Sequence, residues 1–341
     1  MHSFQFSHCL LAFIITMLII PVLIHISHKN KWYDIVDQRK IHNGNIPRLG
    51  GIGIFLSFIF SIAVFSIMNP AYRLNVFNKN FIVFLIGGLI IHIVGLLDDF
   101  NNLRARYKAF IESLVAIGLV FLDIRIDHIQ VPFTEIVIYN KYILSLLSFL
   151  WYLGIFNAIN LIDGIDGLSS VVSGIVCLGY TLHFFYSHHV FMASISITLF
   201  FAISGFFFYN KPKAKIFMGD SGSLFLGYAL SVLPFLDVTS FTTKPVLATV
   251  ITILLIPISD TLFAMARRTY RRIKISVPDK EHLHHMLLDF DFTNWEILIL
   301  MTFINTLLIV STIVFKDALF IIWILFFISM NVIHLLWKKR K

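Results

Sequence analysis

The stretch GLLDDFNNLR at 95–104 ends a long apolar run on two adjacent carboxylates, Asp98 and Asp99, and a basic stretch from Arg104 to Lys108 follows. Side-by-side like charges repel, so the pair calls for cationic company. Three more polar stretches carry similar chemistry. NAINLIDGIDGLSS (157–170) holds Asn157, Asn160, Asp163 and Asp166; KPKAKIFMGDSGSLFLG (211–227) holds Asp220; PDKEHLHHMLLDF (278–290) holds His282, His284 and His285. Carboxylates with amide oxygens are hard ligands suited to Mg²⁺ or Mn²⁺. Mg²⁺ typically takes one or two protein carboxylates and fills its shell with water and phosphate oxygens. Gly219 and Gly222 bracket Asp220, with Ser221 and Ser223 supplying hydroxyls. Such a turn opening a helix can present backbone N–H groups to an anion. Lys211, Lys213 and Lys215, with Arg267, Arg268, Arg271 and Arg272, add cationic contacts for phosphates. These parts suit a phosphorylated, metal-bound substrate.

The elements that must position them are membrane helices. The chain of 341 residues is 58% hydrophobic and 13% charged, with a mean hydropathy of +0.84. Soluble domains carry about a quarter charged residues, so most of this chain lies outside water. A helical span needs roughly 20 predominantly apolar residues, and such runs recur from end to end. The expectation is an all-α polytopic integral membrane protein, one membrane-embedded domain over 1–341 with about 10–11 transmembrane helices. Eleven candidates fall near 4–26, 49–68, 80–97, 107–124, 143–160, 167–185, 190–209, 222–236, 246–265, 296–315 and 318–337. A β-barrel would alternate in short strands. The N-terminus lacks a basic leader and a small-residue cleavage site, which reads as a retained first helix. Cys9 and Cys177 both lie in apolar runs, so neither a disulfide framework nor a cysteine metal site is expected.

The loops divide into two alternating sets. One carries 21 of the 27 Lys and Arg residues, the other six, which assigns the rich side to the cytoplasm. The formal charge of +8 is therefore a topology signal, and no nucleic-acid motif accompanies it. On that same side emerge Asp98, Asp99, Asn157, Asn160, Asp163, Asp166, Asp220 and the three histidines. Read alone, Asp98–Asp99 also fits a solvated helix end. Asp163 and Asp166, flanking Gly164 and Gly167, suit turn and N-cap roles. The HLHH cluster could bind zinc, though its spacing makes no tetrahedral site by itself. A secondary transporter is the rival from another class, but transporter sites lie near the bilayer midplane and here the carboxylates gather at one face.

Five stretches, DQRKIHNGNIPRLGG (37–51), GLLDDFNNLRARYK (95–108), NAINLIDGIDGL (157–168), FMGDSGSLFLG (217–227) and DKEHLHHMLLD (279–289), resemble the polyprenyl-phosphate N-acetylhexosamine-1-phosphate transferases, in order and across most of the chain. The resemblance implies that a membrane polyprenyl (undecaprenyl) phosphate attacks the β-phosphorus of a UDP-amino sugar, giving polyprenyl-diphospho-sugar and UMP. It implies Asp220 as a Mg²⁺ ligand, with Mn²⁺ as a substitute, and Asn160 in the same metal shell. Asp98 and Asp99 would act in catalysis with Asp220, Asp98 as the residue that deprotonates or positions the lipid phosphate. Lys40, Lys108, Asn157, Ser221, Arg267 and Arg268 are expected among the substrate contacts, with Asp163 and Asp166 on the nucleotide side and His282, His284 and His285 near sugar and diphosphate. PRLGG and HLHH resemble the WecA-like amino-sugar branch, which starts O-antigen or teichoic-acid type polysaccharides; the UDP-MurNAc-pentapeptide branch is the alternative. GlcNAc, GalNAc and 6-deoxy amino sugars all fit. The implied setting is the bacterial inner membrane, with active site and C-terminus cytoplasmic, and a homodimer is compatible with the family.

Overall fold

The computed structural model describes residues 7–33, 45–131, 134–236, 246–273, 281–315 and 318–340. Among them fourteen α-helices follow one another: α1 (Ser7–Asn30), α2 (Gly50–Met68), α3 (Pro70–Val76), α4 (Lys79–Asn101), α5 (Ala105–Phe121), α6 (Lys141–Ile162), α7 (Leu168–Tyr186), α8 (Val190–Asn210), α9 (Gly219–Val232), α10 (Val246–Ile253), α11 (Leu255–Tyr270), α12 (Leu283–Asp289), α13 (Asn294–Val314) and α14 (Leu319–Arg340). The described strands are a two-residue pair, β1 (Ile129–Gln130) against β2 (Val137–Ile138). The molecule is an all-α polytopic membrane protein. Among the described residues eight helices are long and apolar enough to span, nine with α10 and α11 counted together. The remaining two apolar segments are α5, of 17 residues, and α9, of 14.

Local chemistry sets several boundaries. Asn78 and Asn140 accept the first backbone N–H groups of α4 and α6, and Thr293 with Glu296 forms a capping box on α13. The segment expected as one helix at 246–265 is broken at Leu254, and α10 and α11 meet at 79°. Pro257 falls in the first turn of α11, where its missing N–H costs nothing.

α9 is the hub. It packs against α2, α4, α6 and α7, and apart from Asp220 every residue in it is buried. A helix apolar on all sides belongs in a core. The neighbours also tie down its backbone carbonyls: Tyr180 Oη donates to Leu230 O at 2.9 Å and Trp151 Nε1 to Ser231 O at 3.1 Å. At about 21 Å from its length, α9 is shorter than the roughly 30 Å hydrocarbon layer.

Candidate active site

The site forms where α2, α4, α5 and α6 surround the start of α9. The PRLGG stretch runs beside FMGD as a short backbone ladder: Phe217 N donates to Pro47 O (2.8 Å), Gly50 N to Phe217 O (3.0 Å) and Gly51 N to Met218 O (2.8 Å). A side chain on Gly51 would strike the backbone of Gly222, so glycine lets α2 and α9 touch main chain to main chain. Gly219 takes φ +73°, the left-handed turn that starts α9.

Asp98 and Asp99 are about 100° apart around α4 and take different partners. Asp99 is wholly buried in its side chain and accepts the backbone N–H groups of Asp220 (2.8 Å) and Ser221 (3.0 Å). It is the N-terminal clamp of α9, favoured there by the helix dipole. Asp98 accepts Lys108 Nζ at 3.2 Å. Lys108 also contacts Asp220 Oδ2, and Arg48 Nη2 donates to Asp220 Oδ1 at 3.2 Å while its Nε lies 3.4 Å from Asp99 Oδ1. Three carboxylates, Asp98, Asp99 and Asp220, thus share the two cations Lys108 and Arg48. Asp220, partly exposed, is the carboxylate at the centre.

Asn160 Nδ2 donates to Ser223 Oγ (2.9 Å), which donates to Gly219 O (3.0 Å). The first turn of α9 therefore orients the Asn160 amide and leaves its oxygen as the acceptor end. Among the described residues no three His, Cys, Asp or Glu side chains converge on one point to hold a metal. With hard oxygen donors on Asp220 and Asn160, the residues fit a Mg²⁺ held partly by substrate oxygens, the usual preference of that ion.

Asp163 follows α6 beside this cluster. Burial, and next repulsion from Asp220, push its carboxyl up to about 7. The N-cap reading of Asp163 and Asp166 is corrected: Gly167 occupies that position, and its N–H donates to Asn210 Oδ1 at 3.1 Å. Asp166 instead accepts the N–H groups of Lys213 and Ala214, both at 3.1 Å, and fixes the basic 211–217 loop. Asn157 Nδ2 donates to the buried Glu112 at 3.0 Å.

Ser221, expected among the substrate contacts, packs against the start of α2. It is 0% exposed, and its hydroxyl lies where a side chain on Gly51 would go, so it faces protein. The histidines gather under the DGIDG loop. His284 packs against Gly164, and its ring stands 4.3 Å from that of His285 and 5.9 Å from that of His282. Burial, then its neighbour His285, lowers the His284 imidazole to about 3, so it is neutral at physiological pH. His282 Nδ1 is hydrogen-bonded to Asp260 Oδ2 at 2.8 Å. Arg267 Nε lies 3.5 Å from Glu281 in the same loop, and Arg268 is buried at the end of α11. Lys40 lies outside the described residues.

Spacing and charge pattern give Arg48, Glu112 and Asp260 no site role. Arg48 does fall inside the PRLGG stretch, but as one basic residue in a basic loop it carries no signal beyond topology.

Fold and site together define a polytopic membrane protein with an acidic centre, braced by Lys108 and Arg48, at one end of its helix bundle. The Glycosyl transferase family 4 profile matches residues 81–237. A probable undecaprenyl-phosphate N-acetylglucosaminyl 1-phosphate transferase of Bacillus subtilis (strain 168) is 35% identical over 328 residues, covering 92% of this chain and 88% of the relative. An undecaprenyl-phosphate alpha-N-acetylglucosaminyl 1-phosphate transferase of Thermotoga maritima is 30% identical, covering 80% and 78%. One of the same description from Yersinia pestis is 26% identical, covering 91% and 84%. The chain belongs to the polyprenyl-phosphate N-acetylhexosamine-1-phosphate transferase family and is a membrane transferase.

Proposed function

We propose that this protein transfers N-acetylhexosamine 1-phosphate from a UDP-sugar to a polyprenyl phosphate, giving polyprenyl-diphospho-sugar and UMP. The observation that carries the reading is the placement of Asp220 at the start of α9, between Lys108 and Arg48 and beside Asp98. Both substrates are anions whose encounter is repulsive, and a centre of this kind holds them in line. Asp220 and Asn160 would hold Mg²⁺, which when bound neutralises charge on the diphosphate. Lys108 and Arg48 exchange carboxylate partners for phosphate oxygens as the substrates enter. A phosphomonoester's second pKa is about 6, so the lipid phosphate is largely ionised near neutrality. Asp98 then orients it and takes any residual proton, and a lipid oxygen displaces UMP from the β-phosphorus in one in-line step.

An apolar cavity of about 360 Å³ between α6, α11 and α14, lined by Trp151, Gly154, Leu255, Leu262, Trp323 and Phe327 among others, supports a lipid substrate. It shares helices α6 and α11 with Asn160 and Asp260. N-acetylglucosamine is the sugar in the relatives' names; the basic loops favour a cytoplasmic face for the site, and cell-envelope polysaccharide synthesis in a bacterial membrane is the setting we propose for it. The test is label transfer by the purified protein to undecaprenyl phosphate with Mg²⁺, offering UDP-GlcNAc, UDP-GalNAc and UDP-6-deoxy amino sugars separately. Lipid-soluble label lost with EDTA and in Asp220→Ala is expected. No transfer from any donor, with a relative active in the same membranes, would overturn the reading.

A further inference from the structure

Asp260 lies in α11, six residues beyond the break at Leu254, and is almost completely buried with both oxygens engaged. Oδ2 is 2.8 Å from His282 Nδ1, and Oδ1 accepts the backbone N–H of Leu283 at 2.8 Å. One carboxylate therefore holds both the ring and the main chain at the entry to α12. The consequence runs on through contact: His282 stacks parallel to His284 (6° between ring planes), and His284 rests on Gly164 of the DGIDG loop. A carboxylate facing Nδ1 favours a proton on that nitrogen and fixes the orientation of the ring. On another face of α11, Ile258, Thr261 and Leu262 line the apolar cavity, whereas Asp260 and His284 line a separate small one.

We propose that Asp260 is a positioning residue of the transfer reaction, acting through His282: it holds the imidazole by a protonated Nδ1 and so fixes the ring that stacks on His284 against the DGIDG loop. The proposal rests on the transferase reading above. The alternative is that Asp260 merely caps α12. Asp260→Asn separates the two. Its amide oxygen still accepts Leu283 N–H, so the cap survives, while its amino group faces Nδ1 and drives the ring to the opposite tautomer.

The experiment compares wild type, Asp260→Asn, His282→Asn and the double variant in the label-transfer assay, with thermal unfolding measured on each. The expected result is a kcat for Asp260→Asn lower by roughly 10- to 100-fold, with KM for both substrates within about threefold and the melting temperature little changed. In the double variant kcat is no lower than in His282→Asn alone, since Asp260 then has no ring to orient. The proposal is overturned if Asp260→Asn turns over within about twofold of wild type. It is equally overturned if the two substitutions multiply in the double variant. An inactive wild type would instead count against the transferase reading, so the two failures are distinct.

Discussion

The backbone N–H of Asp220 points into the carboxylate of Asp99, nitrogen to Oδ1 2.8 Å, across 121 residues of sequence. A side chain at the end of α4 thereby sets where α9 begins, and with it where the Asp220 carboxylate stands. Asp99 acts on the site by holding it, and Asp98 by facing it.

That division separates two substitutions. Asp99→Ala is expected to destabilise the protein by about 1–2 kcal/mol, the scale of a lost N-terminal cap, and to lower transfer as well. Asp220→Asn should abolish transfer with little change in stability, because Lys108 keeps Asp98 and Arg48 keeps Asp99 as partners. Thermal unfolding in detergent beside the transfer rate checks both. An Asp99→Ala protein that melts like wild type would rule out the clamp.

Arg48 reaches two carboxylates with different nitrogens of one guanidinium. A lysine carries the charge but only one point of contact. Arg48→Lys should therefore lose about tenfold in kcat and Arg48→Ala about a hundredfold, the second scale being that of a deleted charge-stabilising donor. Equal activity of Arg48→Lys and wild type would show that charge alone is required.

Gly164 faces the His284 ring so closely that an added methyl group overlaps the imidazole. Gly164→Ala is expected to cost about 1–3 kcal/mol, as overpacking does, or to push the histidine loop aside with loss of transfer. Paired measurements of melting temperature and kcat give the outcome, and a variant unchanged in both would deny the contact.

Asp163 makes a pH prediction with a definite sign. Its carboxyl is raised to about 7 in the folded protein, against about 3.9 in an unfolded chain. Between those values the native state holds a proton that the unfolded state has released. Stability from this group is therefore present at low pH and lost as pH rises toward 7. Asp163→Asn should flatten that decline, gaining on wild type at pH 8 relative to pH 5. Melting curves at both pH values decide it, and parallel curves for the two proteins would refute the shift.

How far the sequence reached can be read from particular residues. The apolar runs and the one-sided distribution of Lys and Arg were enough for the polytopic helical class, because hydropathy is a local property of each segment. The same patterns brought Asp98, Asp163, Asp220 and Asn160 to one end of the molecule, and the quoted stretches carried the family. The broken α10–α11 pair lay beyond that reading, since a bent and a straight apolar segment have the same composition. So did the separate duties of Asp98 and Asp99, which only the partners of each helix face decide. The burial of Ser221 under Gly51 was likewise invisible, because it depends on the approach of α2 to α9. Arg48 and Asp260 acquire meaning from contacts 172 and 22 residues away. Local sequence determined which segments are helices and which end carries the charge; the packing of those helices around α9 decided which charges meet, because hydrogen bonds and ion pairs depend on distances that no single segment contains.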